Sequence, residues 1–262
     1  MKGFYVALNT ELMKARKSKM FWITLIFFAF IAIMLGFLML VAKHPEIAGN
    51  SAVLTTKASF INKADWPTYF NLLLQMVLTL GNIGPAIVTI WVFGREYSDR
   101  VIKDLLALPV SRSNIVFSKF IIVFFWSVLL LFLLFVFGMV TGLVIQLDGW
   151  NRELVLHNTL VYTISSLLTI ILFPVVTLIT CMSRGYLLPV GFTLLIMIVT
   201  QFVFLGLPAI TPYFPWAIPG LSSGVAGPLS PEPKLISYLI LGFTSLLGVA
   251  GTAGWWRYAD QH

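Results

Sequence analysis

Residues 20–42 read MFWITLIFFAFIAIMLGFLMLVA, twenty-three positions without one Asp, Glu, Lys, Arg or His. A helix needs about 20 apolar residues to cross about 30 Å of hydrocarbon, and a run this long exceeds what a buried core helix requires. Lys14, Arg16, Lys17 and Lys19 precede it, as in a secretory signal. The apolar region of a signal is only about 7–15 residues long, however, and no small-x-small cleavage site follows before Lys43-His44-Pro45. The stretch is read as a retained membrane span.

Five further runs, 70–93, 120–145, 160–181, 187–207 and 235–256, are as long and equally free of charge. The expected fold is therefore an all-α integral membrane protein with six transmembrane helices. The fourth and fifth runs are separated only by Met182–Tyr186, which demands a tight antiparallel hairpin. The stretches between spans are too short for a soluble domain, so residues 1–262 are read as one membrane domain. Composition agrees. Hydrophobic residues make up 59% and charged residues 10%, against about 45–50% and about 25% in soluble domains. A soluble enzyme, a disordered chain and a nucleic-acid module are all disfavoured. Cys181 is the chain's single cysteine and cannot form an internal disulfide.

The net charge of +7 is explained by topology. With the N-terminus in the cytoplasm, six spans return the C-terminus there, and twelve of the seventeen Lys and Arg residues fall inside. Such an excess orients a membrane protein. Trp22, Trp66, Trp91, Trp150, Trp216, Trp255 and Trp256 fall near span ends, where indoles favour the headgroup level. Trp126 lies inside the third span and is read as a packing residue.

Two segments outside the spans have structure of their own. In Gly3–Lys17, Phe4, Tyr5, Leu8, Leu12 and Ala15 share one helical arc, with Lys14, Arg16 and Lys17 outside it. This predicts an amphipathic helix on the cytoplasmic leaflet; the alternative is a solvated positive segment. Residues 208–234 carry seven prolines among apolar side chains. Irregular backbone at membrane depth survives only where protein or water covers it, so short broken helices packed on the bundle are expected, with a free external loop as the alternative.

Several chemistries lack their residues. The spans hold no ionisable group, which ion-coupled carriers usually retain for a task. There is no HExxH sequence, no Cys/His cluster and no phosphate-binding G-x-x-x-x-G-K-[ST] loop. Asn71, Gln75, Asn82 and Gln201 supply sparse neutral polarity in the second and fifth spans. Helix–helix hydrogen bonding accounts for such groups.

Residues 94–119 read GREYSDRVIKDLLALPVSRSNIVFSK and hold eight of the chain's twenty-seven charged side chains. Val101, Leu105 and Leu108 recur on one helical face. Pro109 ends that helix, because the residue before proline avoids αR, and Ser111 can cap the next. The segment is either a projection for a peripheral protein or an ordinary charged loop. Arg112 is expected to pair with Glu96 at the other end of the loop, or with an acidic residue of a partner.

Glu96, Lys103-Asp104-Leu105-Leu106, Pro109-Val110-Ser111-Arg112, Ile115 and Lys119 resemble the cytoplasmic signature of ABC-2 type permeases, the six-span subunits of ATP-binding-cassette exporters. The string is most similar to the bacitracin- and lantibiotic-export permeases. Where many of these carry Gly-Thr, this chain has Arg100-Val101. The resemblance implies a permease that pairs with a second copy or a sister permease, each on a soluble ATPase subunit. ATP and Mg would sit on that ATPase, and no cofactor on this chain. Arg95, Glu96, Arg100, Leu105, Leu106, Pro109 and Arg112 would be the ATPase-coupling residues. An amphiphilic peptide or lipid-like compound would move outward in a bacterial plasma membrane along the interface between permeases, with Asn71, Gln75, Asn82 and Gln201 as candidates for its pathway and helix–helix hydrogen bonding as their equal alternative. A secondary transporter or channel, and a lipid-modifying enzyme, are the competing functions.

Overall fold

The computed structural model describes residues 2–48, 51, 56, 61, 63–99, 111–227 and 230–258. All elements among them are helical: α1 (Lys2–Lys17), α2 (Lys19–Lys43), α3 (Trp66–Ser98), α4 (Arg112–Val144), α5 (Arg152–Ile170), α6 (Phe173–Ser183), α7 (Leu187–Gly206), α8 (Ile218–Ser222) and α9 (Leu235–Tyr258). Six helical stretches are long and apolar enough to cross a membrane: α2, α3, α4, α5 with α6, α7 and α9. They match the six runs expected from the sequence, with the runs 120–145 and 187–207 each reaching one residue past the helix end.

Local polar groups set the boundaries. Ser18 accepts from Phe21 N to start α2, Asp65 from Thr68 N to start α3, Ser111 from Asn114 N to start α4 and Asn151 from Glu153 N to start α5. Each satisfies an N–H that the first helical turn leaves free. Ser111 is thus the cap the sequence predicts. The helix of residues 100–110 anticipated before it lies outside the described residues. The fourth span bends at Ile171–Leu172 and resumes at Phe173-Pro174. Arg184 turns the chain into α7 with φ 52°.

Helices α3 and α4 have 33 residues each, about 50 Å at 1.5 Å per residue. That exceeds the apolar thickness of about 30 Å. Their extra turns carry Arg95, Glu96, Arg112 and Lys119, which the charge-free runs exclude. The two helices are tied together at the opposite end. Trp66 N donates to Asp148 O at 2.9 Å, and Tyr69 Oη donates to Gly138 O at 3.0 Å. Gly138 and Gly142 allow this approach: a Cβ at Gly142 would lie 2.7 Å from the Trp66 ring. Lys43 Nζ caps α4, donating to Ile145 O at 3.2 Å and Gln146 O at 2.5 Å.

Trp66 and Trp256, at the ends of α3 and α9, are fully buried in the bundle and pack there. Trp126 packs as predicted, with its Nε1 donating to Thr24 Oγ1 at 3.1 Å. In the proline-rich stretch, 3₁₀ turns at Thr211–Tyr213 and Pro215–Ala217 lead into α8. Ile218 is buried with Leu172 of the bend and Leu241 of α9.

Candidate functional site

Two places in the bundle gather polar groups. The first lies where α1 meets the ends of α3 and α4 that flank residues 100–110. Helix α1 turns a face centred on Glu11 inward, with Ala7 and Ala15 one turn to either side; all three are buried. Tyr5 and Leu12 are exposed. The protein-facing side shares Ala15 with the apolar arc read from the sequence but is centred on Glu11. An acidic side chain occupies its centre, because it meets a lysine there.

That lysine is Lys119 of α4, fully buried. Its Nζ donates to Glu96 Oε1 at 2.7 Å, to Glu11 Oε2 at 3.1 Å and to Val92 O at 3.1 Å. All three ammonium donors are thereby used. Lys14 Nζ adds bonds to Glu11 Oε1 at 2.6 Å and Glu96 Oε1 at 3.3 Å. Two carboxylates and two ammoniums sum to zero charge. Such burial is tolerable only when every charge is paired, since desolvating one ion costs several kcal/mol. Burial raises the Glu11 pKa, but the Lys119 and Lys14 ammoniums and their hydrogen bonds outweigh it, leaving the carboxyl below its ordinary value. Glu96 Oε2 is sealed and has no partner among the described residues.

The coupling candidates are distributed around this cluster. Glu96 is a member of it. Arg95 stacks over Trp91, its guanidinium carbon 4.6 Å from the ring centroid. Arg112 does not pair with Glu96, as the sequence reading expected. Its Nη1 donates to Trp256 O at 3.2 Å and Arg257 O at 3.4 Å, at the end of α9. The reason is competition: Lys119, two turns further into α4, already holds Glu96. Arg100, Leu105, Leu106 and Pro109 lie outside the described residues.

The second place is a cavity of about 310 Å³ between α3, α7 and α8. Asn82, Thr79, Thr200 and Gln201 line it with Phe204 and Trp216. Thus Asn82 and Gln201, far apart in sequence, share one wall-to-wall space. Asn82 Nδ2 donates to Leu78 O at 2.7 Å, which leaves the amide oxygen for another donor. Asn71, Gln75 and Thr79 are exposed along the same side of α3, at successive helical turns. Asn71 and Gln75 do not line the cavity.

The family model for ABC-2 family transporter proteins matches residues 7–200. The chain belongs to the ABC-2 family. It is also 26% identical to the bacitracin transport permease protein of Bacillus licheniformis over 196 residues, covering 74% of this chain and 92% of that protein. No solved structure gives a significant match. The six-helix bundle is thus a multi-pass membrane permease of an ABC transporter.

The matched region includes the ion cluster, the α3 wall of the cavity and Met197, Ile198 and Thr200 of the α7 wall, and ends one residue before Gln201. Sequence reading singled out Glu96, and noted Lys119 within the loop signature, but missed Glu11 and Lys14 as its partners. One signal was present. Glu11 is the sole acidic residue in a basic N-terminal segment, and a lone carboxylate on a helix that packs on a bundle needs a cation.

Proposed function

We propose that this permease is the membrane-spanning subunit of an ATP-binding-cassette exporter that moves an amphiphilic substrate, an antimicrobial peptide or a lipid-like compound, to the outside. A separate soluble ATPase subunit binds ATP and Mg and supplies the energy. Two permease copies, or this chain and a sister permease, face one another. The protein resides in a bacterial plasma membrane with both termini in the cytoplasm, and α1 lies along the inner leaflet. Arg95, Glu96, Arg100, Leu105, Leu106, Pro109 and Arg112 form the zone through which the ATPase acts.

The observation that carries this reading is the cavity shared by α3 and α7. Amide and hydroxyl groups of Asn82, Thr79, Thr200 and Gln201 are interleaved there with Phe204 and Trp216. Neutral hydrogen-bonding groups on an apolar wall suit a molecule with both characters. They offer no charge to pair with an ion. The exposed row of Asn71, Gln75 and Thr79 extends this polarity along α3 toward a facing subunit.

The test is reconstitution of the permease with its ATPase in lipid vesicles, with bacitracin and a fluorescent phospholipid as probes. Movement of either probe that requires hydrolysable ATP supports an exporter, and the probe moved names the substrate class. Movement driven by an ion gradient without ATP would overturn it in favour of a secondary transporter. Orientation is read separately: Ser230→Cys in a Cys181→Ala background should be labelled from outside intact cells, and Ser98→Cys should not.

A further inference from the structure

The ion cluster joins three helices that the chain order keeps apart. Lys119 belongs to α4, Glu96 and Val92 O to α3, and Glu11 and Lys14 to α1. Glu96 and Lys119 sit on the two roots of the segment 100–110, one before it and one after it. The cluster therefore closes both roots on each other and on α1 in a single set of bonds. At their other ends α3 and α4 are tied again, by the Trp66–Asp148 bond and the Tyr69 hydroxyl. Two helices fixed at both ends cannot hinge independently of each other. Among the described residues, α1 is bonded to α3 and α4 through these ions, and Ala7 and Ala15 beside them are small.

We propose that Lys119 is a positioning residue that fixes α1 to both roots of the loop between the second and third spans, so that α1, α3 and α4 move as one body when that loop is pushed. This rests on the exporter reading for the source of the push. The geometry of the clamp does not depend on it. Lys119 is shielded from water on all sides and acts as the permanent hub. Lys14, with 28% of its side chain exposed, is the peripheral member. Rows of polar residues on α3 then travel with α1 without any contact between them.

Two measurements test this. The first uses the permease alone and follows amide exchange in α1. Glu11→Gln keeps the size of the side chain and removes its charge, and it should speed exchange across α1 at least tenfold. Lys17→Gln, which touches no member of the cluster, should leave it unchanged. If Glu11→Gln exchanged like the native chain, the clamp would be refuted, whatever the protein transports. Lys14→Gln should give a smaller change in the same direction, and covers the case in which Glu11→Gln does not assemble.

The second measurement uses the reconstituted complex and reads substrate moved per ATP hydrolysed. Glu11→Gln should lower that ratio at least fivefold. A Cβ at Gly3 would lie 3.7 Å from Asn114 Nδ2, so Gly3→Cys with Asn114→Cys, in a Cys181→Ala background, can be joined by a short thiol cross-linker. Cross-linking after assembly should leave the ratio unchanged in the otherwise native chain and restore it in Glu11→Gln. A residue that served only folding would not be rescued by a tether added afterwards. Loss of transport on cross-linking the native chain would show that α1 must move against α4, and would overturn the proposal. Absence of ATP-driven transport in the native complex would instead count against the exporter reading, with the exchange result still deciding the clamp.

Discussion

The two long helices that wall the cavity are held in opposite ways. Of the most apolar stretch of α3, 61% is buried inside the bundle; of α7, only 17%. Helix α3 is pinned by polar bonds at both ends, through Trp66 N and Tyr69 at one and Glu96 at the other. Helix α7 is held mainly by side-chain packing against α3 and α6, by the Phe192–Trp216 ring contact, and by the Thr211 hydroxyl on Val203 O. Its apolar residues can face lipid at no cost. Gln201, exposed on the same helix, cannot do so without leaving an amide unpaired. One wall is built to keep its place within the subunit, and the other is finished only when something covers it.

The sharpest way to break this contrast is to remove the pin from α3. Lys119→Met keeps the length of the side chain and leaves Glu11 and Glu96 buried with only Lys14 between them. Deleting one partner of a buried ion pair costs about 3–5 kcal/mol, since the other is stranded. The purified permease should melt at a clearly lower temperature by tryptophan fluorescence. A melting temperature equal to the native one would mean that packing alone holds α3 and α4 together at this end.

A second contrast lies within α9. A Cβ at Gly248 would sit 2.6 Å from the backbone carbon of Pro174, whereas at Gly254 there is nothing within 4 Å. Close backbone approach of this kind is how small residues join membrane helices. Gly248→Ala must therefore push α9 off α6, and overpacking costs about 1–3 kcal/mol. Gly254→Ala should be neutral or stabilise by up to about 1 kcal/mol, because alanine favours a helix more than glycine does. Gly251 lies between these cases, since its Cβ would meet Leu178 Cδ2 at 2.8 Å, the end of a side chain that can turn. Equal melting of Gly248→Ala and Gly254→Ala would show that α9 does not need this contact.

How much of this could be read in the sequence follows from what each feature depends on. The spans were legible because hydrocarbon thickness sets a length and excludes charge, and both are one-dimensional properties. The caps at Ser111 and Asp65 are local in the same sense, although only Ser111 was anticipated. The ion cluster was hidden because its members come from residues 11, 14, 96 and 119, and pairing depends on which helix face turns inward. The apolar arc of α1 marks a face for the membrane, and the attachment to α4 is made through a carboxylate that the arc leaves out. Asn82 and Gln201 were individually visible as polar residues in apolar helices. That they share one cavity is a consequence of how α7 packs on α3, which no spacing encodes.

On the other wall, Gln201→Leu should leave stability unchanged and lower transport. Losing one neutral hydrogen bond is worth about 0.5–1.5 kcal/mol, or roughly twofold to thirteenfold in transport rate. Lower stability with normal transport would assign Gln201 to helix packing and leave only Asn82 and the threonines for the cavity's polar role.

The smallest effect is expected at Arg112, and it separates the loop's own chemistry from that of α9. The guanidinium donates to Trp256 O and Arg257 O at 3.2 and 3.4 Å. These carbonyls belong to the last turn of α9, the negative end of its macrodipole, where a cation contributes about 0.3–1 kcal/mol. Arg112→Gln should therefore cost only a few tenths of a kcal/mol and speed amide exchange in the last turn of α9. Arg112→Glu should do more of the same, because a carboxylate there faces carbonyl oxygens. Adding Glu96→Arg to Arg112→Glu should not rescue, since the new arginine would enter a buried cluster beside Lys14 and Lys119 with only Glu11 left to balance three cations. Rescue by that double swap would show that residues 96 and 112 do meet in the working protein. Loss of ATP-driven transport in Arg112→Gln, with α9 exchange and melting unchanged, would instead move Arg112 from a helix cap to a contact with the ATPase.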